Sequence, residues 1–116
     1  MFNDLIKVII CIKEHQKENI TIIDNEKRII MFNNKLKTLS EKEYNNFVSS
    51  LFRIIREWYN KENYKANTRI TIIEKENQYE LCIDDPFPNN YDNFLALINN
   101  LNNWQKQVYR LEYIII

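Results

Sequence analysis

Glycine is absent from all 116 residues. Few features restrict a fold as much, because tight turns ordinarily use glycine wherever the backbone needs a positive φ. Here those positions are expected to fall to Asn or Asp, which tolerate left-handed geometry better than other side chains. The same absence excludes glycine-rich phosphate cradles of the P-loop and dinucleotide types. With the abundance of Asn, Ile, Lys and Glu, it also matches the codon bias of an AT-rich genome, such as a low-GC bacterium or its phages.

Between the turn signals the chain alternates strand-like and helix-like segments. Residues 5 to 13, "LIKVIICIK", are rich in β-branched side chains and favour a strand, with a short helix from Asn3 as the alternative. "ITIID" and "RIIMFN" flank the polar "NEK" and predict a hairpin with Asn25 in its turn. "TRITIIEKE" and "QYELCID" predict a second hairpin around Asn77. The tail "QVYRLEYIII" reads as a last strand.

Two segments are helical. "LSEKEYNNFVSSLFRIIREWYNKE" opens with a capping box, Ser40 with Glu43, in which each side chain satisfies the other's backbone N–H. Leu39 and Tyr44 are placed to form a hydrophobic staple. Tyr44, Phe47, Val48, Leu51, Ile55 and Trp58 recur at helical spacing, opposite Lys42, Asn45, Asn46, Ser49, Arg53 and Arg56. After "DPFPNN", where proline stops both helix and sheet, Asn89 or Asn90 can cap a second helix. Its buried stripe is Phe94, Leu97, Ile98 and Leu101.

The expected order is β-ββ-α-ββ-α-β. It describes one α+β domain, residues 1–116, with an antiparallel sheet of five to six strands and two helices packed on one face.

Composition then narrows function. Sixteen basic residues balance sixteen acidic ones, so no net field favours direct nucleic-acid binding. No apolar run approaches the roughly 18 residues of a membrane span. The N-terminus lacks the basic region and small-residue cleavage site of a signal peptide, and a cytoplasmic protein is expected. Cys11 and Cys82 lie in apolar runs and read as buried thiols rather than a disulfide. His15 is the only histidine, which removes two-histidine metal motifs. It reads as a solvated loop residue. No cofactor is implied.

Three groups of residues remain as candidates. Asp84 and Asp85 precede Pro86-Phe87-Pro88. As strand neighbours they point to opposite faces, and they read first as a strand end, with paired-acid or metal chemistry as the alternative. Phe87, in a loop stiffened by two prolines, is either an anchor for a partner or a side chain folded back on the second helix. Tyr59 and Trp104 are aromatics that can serve as core or as surface anchors.

The C-terminal half, "RITIIEKENQYELCIDDPFPNNYDNFLALINNL", pairs two alternating strands with a proline-aromatic-Asn link. That link leads into a helix carrying Asn93, Phe94, Leu97, Ile98 and Leu101. Over residues 65–101 it resembles the closing module of small bacterial inhibitor and immunity-type proteins, including the emfourin-like protease inhibitors, although their glycines are missing here. The resemblance implies a non-enzymatic inhibitor that binds a protein target and occludes or locks it. Such a chain would be a toxin immunity protein or a phage-encoded anti-defence inhibitor of the anti-CRISPR type. Its binding residues are expected among Asp84, Asp85, Phe87, Tyr59 and Trp104. The alternatives are a small-ligand or metal-binding domain or enzyme built on Asp84 and Asp85, and a structural subunit of a larger complex.

Overall fold

A computed structural model describes residues 3–14, 16–58, 67–84 and 86–100. Among them, six strands form one antiparallel sheet. They are β1 (Leu5–Glu14), β2 (Lys17–Asp24), β3 (Ile29–Phe32), β4 (Lys35–Thr38), β5 (Thr68–Glu74) and β6 (Gln78–Ile83), in the spatial order β4-β3-β2-β1-β5-β6. Helix α1 spans Glu41–Ile55, and α2 is helical over residues 91–100. The fold is the expected α+β class. The first segment is a strand, not a helix, and it lies at the centre of the sheet between β2 and β5.

Helix α1 begins as its sequence requires. Glu43 N donates to Ser40 Oγ at 3.1 Å, and Ser40 N donates to Glu43 Oε1 at 3.3 Å. Two of the helix's otherwise unsatisfied N-terminal donors are paired in this way. Leu39 and Tyr44 are both buried, as a staple requires. The helix ends at Ile55, earlier than its hydrophobic spacing suggests. Trp58 is reached through a turn in which its N–H donates to Ile55 O at 3.0 Å.

The glycine-free turns use more residue types than expected. Asn33 and Asn34 join β3 to β4 with φ of 44° and 72°, the doubly positive geometry of a type I′ hairpin turn. Arg28 and Gln16 also have positive φ, 53° and 67°, so left-handed positions are not confined to Asn and Asp. In the β2–β3 loop Asp24 Oδ1 accepts from Glu26 N and Lys27 N. This Asx turn leaves the left-handed position to Arg28. Strand β4 was not expected. Its sequence, Lys35-Leu36-Lys37-Thr38, is too short and too basic to show a strand pattern by itself.

Both helices lie on one face of the sheet. Val8, Ile10, Ile23, Ile30 and Ile70 meet Phe47, Val48 and Leu51 of α1 and Phe94 and Ile98 of α2 in one buried cluster. The expected final strand and Leu101 lie outside the described residues.

Candidate functional site

The second helix starts on a stack of aromatic rings that runs from the surface to the core. Phe87, 39% exposed, lies parallel on Tyr91 with ring centroids 4.2 Å apart and planes at 15°. Tyr91 is 5.9 Å from Phe94 and 6.0 Å from Trp58, and Trp58 meets Phe94 edge-on at 5.2 Å. Such offset and edge-to-face arrangements match the ring quadrupoles. Proline on each side of Phe87 limits the backbone states that the loop must lose to hold the ring there.

Polar contacts fix the middle of the stack. The Tyr91 hydroxyl lies 2.6 Å from Thr68 Oγ1, and Asn67 Oδ1 is within 3.1 Å and 3.0 Å of the two hydroxyls. Each hydroxyl carries one proton, so one donates to Asn67 and the other closes the hydroxyl–hydroxyl contact. Asn67 is itself tied to the end of β1. Its Nδ2 donates to Lys13 O at 3.0 Å, and Lys13 N donates to Asn67 O at 2.9 Å. Trp58 Nε1 is buried with no hydrogen-bond partner among the described residues, a cost accepted for the packing of its ring.

Phe87 is thus only partly folded back on the second helix. One ring face folds back on α2 through Tyr91, and the rest is presented to solvent. Asp84, at the base of the same loop, is half-buried. Asp85, Tyr59 and Trp104 lie outside the described residues, so the structure brings together only Asp84 and Phe87 of the five expected site residues.

The remaining polar features are structural. An open cleft of about 310 Å3 lies between the β2–β3 loop and α1. Four of its lining residues, Asn25, Arg28, Glu41 and Tyr44, are already engaged. The Tyr44 hydroxyl donates to Asn25 Oδ1 at 2.6 Å, Asn25 Nδ2 donates to Leu5 O at 2.9 Å, and Arg28 pairs with Glu41 at 3.5 Å. Burial, reinforced by Asp24, pushes the Tyr44 phenol up to about 12, so it stays a neutral donor. No group of three or more His, Cys, Asp or Glu side chains placed to hold a metal occurs among the described residues. None of the described helices is long and apolar enough to cross a membrane.

Cys11 and Cys82 are both free thiols on β1 and β6, with β5 between them. At about 4.8 Å per strand they are ~10 Å apart, too far for a disulfide. Cys82 is buried as expected, but Cys11 is only partly so. Burial and the neighbouring Glu18 raise the Cys11 thiol above its ordinary value, away from the reactive thiolate.

One surface was not anticipated. The sheet face opposite the helices carries an apolar row that crosses four strands. Leu36 of β4 pairs with Met31 of β3, Met31 with Ile22 of β2, and Ile22 with Ile9 of β1. Ile20 and Cys11 form the next row. Leu36 is 61% exposed and Ile20 37%, and none of these side chains belongs to the buried cluster. The signal was present in "LIKVIICIK" and "ITII": a continuous apolar run, unlike an alternating one, puts hydrophobic side chains on both faces.

No family model, curated protein or solved structure matches this chain.

Proposed function

We propose that this chain is a small non-enzymatic inhibitor that binds a protein target and occludes it or locks its conformation. A toxin immunity protein and a phage-encoded anti-defence protein are the two settings for such an activity. The observation that carries the reading is the half-exposed Phe87 ring, held by flanking prolines on a rigid aromatic stack. An anchor already fixed in its binding shape loses little entropy on association, and buried aromatic anchors dominate binding energy at protein interfaces. Asp84 beside it suits a target site rich in Lys or Arg. The resemblance of residues 65–101 to inhibitor and immunity-type modules points the same way.

The test is a photo-crosslinking phenylalanine analogue at position 87, expressed in the native host. It should capture one enzyme. The unlabelled chain should then reduce that enzyme's activity in proportion to complex formed. Phe87→Ala should weaken the complex by about 2 kcal/mol or more, measured well below the variant's unfolding temperature. Asp84→Asn should slow association, most strongly at low salt. A captured enzyme that keeps full activity when saturated would reject inhibition. No capture by a folded protein would reject the loop as the binding surface.

A further inference from the structure

We infer that the sheet face left uncovered among the described residues is a self-association surface, which a second copy of this chain covers face to face. The inference does not depend on the inhibitor reading, because Phe87 lies on the loop into α2 and not on this face.

The pattern on the face is an apolar band framed by matched charges. Ile9, Ile22, Met31 and Leu36 form one row and Cys11 with Ile20 the next. At one end of the band Lys7 is the register neighbour of Asp24, and at the other Lys13 is the neighbour of Glu18. On the β5–β6 side Arg69 Nε donates to Glu80 Oε1 at 2.8 Å. Directly opposed residues on neighbouring strands share a face. Among the described residues, each cation on this face therefore has an anion of the same copy beside it, and these charges sum to zero.

That balance distinguishes between occupants. A target with a strongly basic or acidic surface would gain no attraction here and would have to desolvate its own charges. A neutral apolar sheet face is a suitable complement, and a two-fold-related copy provides one without like-charge repulsion. In such an isologous contact residue i of one copy meets residue j of the other and j meets i, so the apolar rows of the two copies can pack on one another. Two sheets can pack in this way about 10 Å apart through interdigitating side chains.

The area sets the strength. Five inter-strand spacings span ~24 Å, and the rows from Lys7 to Lys13 span ~20 Å, giving roughly 500 Å2 per copy. A pair would bury about 1,000 Å2, at the lower bound for a specific interface. A dimer in the micromolar range, dissociating on dilution, is therefore expected.

Sedimentation velocity of the full chain over a dilution series tests this. The expected result is a species of twice 14.2 kDa that gives way to monomer on dilution. Ile20→Lys and Leu36→Lys change exposed positions, and each should raise the dissociation constant at least about tenfold. Circular dichroism should show an unchanged unfolding midpoint, and Ile20→Leu should retain the dimer. A wild-type chain still monomeric at about 100 μM overturns the inference, as does a dimer that both lysine variants leave intact. Hydroxyl-radical labelling then identifies what replaces it. A monomer protected at Ile20 and Leu36 points to cover by the chain's own residues. One that labels freely there points to a different protein as the occupant.

Discussion

Replacing Phe87 by alanine should destabilise the protein as well as weaken a complex. An aromatic side chain carries about 200 Å2 of largely apolar surface. With 39% of Phe87 exposed, roughly 120 Å2 is removed from water, and truncation to the β-carbon forfeits about 100 Å2 of it. At ~25 cal/mol per Å2 that is about 2.5 kcal/mol. Residual compactness of the unfolded chain lowers it to about 2 kcal/mol, a fall of ~8 °C in melting temperature for a domain of this length. Urea unfolding of Phe87→Ala, Tyr91→Leu and the double variant measures both the loss and its source. The two substitutions should couple by about 0.5–1.5 kcal/mol, because the rings at 4.2 Å share one stack. A loss under about 0.5 kcal/mol, with no coupling, would mean that the stack does not hold in solution. Phe87 would then not be a preorganised anchor.

Other perturbations separate the parts of the fold. Ser40→Ala removes the side chain that accepts from Glu43 N and should cost about 1 kcal/mol; an unchanged urea midpoint would place the start of α1 elsewhere. Leu51→Ala empties a fully buried site and should cost on the order of 2–5 kcal/mol; a loss near zero would mean that α1 presents another face to the sheet. The Tyr44 phenol ionises at about 12 in the folded chain, against an ordinary 10.0. Between those values the unfolded chain has lost a proton that the folded chain keeps. Stability therefore falls with rising pH across that window, by roughly 1 kcal/mol after allowance for solvent screening, and is insensitive to this group below it. Tyr44→Phe should remove that contribution, and ultraviolet titration of the wild type should show a late-ionising tyrosine that Tyr44→Phe lacks.

Much of the architecture was legible because local rules and tertiary packing agree. The capping box at Ser40 and the stripe from Tyr44 to Ile55 specify α1 through its own backbone donors and its own periodicity. The β2–β3 and β5–β6 hairpins were visible as β-branched strands around a polar turn, whereas the β1–β2 hairpin was not, because β2 begins in the polar Lys17-Glu18-Asn19. Strand β4 was missed although "FNNK" carries its signal: two consecutive asparagines suit the type I′ turn that joins it to β3. Of the candidate site, Phe87 and Asp84 were read from the prolines and the acidic pair beside them. The stack beneath Phe87 was not, because Trp58, Tyr91 and Phe94 come from separate segments that only the packed fold brings together.

The sequence alone determined which segments pair locally: the start of α1, the two hairpins and the stop at Pro86. Those choices rest on contacts between residues a few positions apart, so periodicity and turn chemistry suffice. The tertiary structure decided that β1 lies at the centre of the sheet and that β5, after an intervening helix, returns beside it. It also decided that one apolar face of the sheet is covered by both helices, while no described element covers the other, with Ile9, Ile20, Ile22, Met31 and Leu36. The physical reason is that non-local pairing and burial depend on which distant surfaces fit together, and an apolar run that suits either face of a strand does not encode which face will be covered.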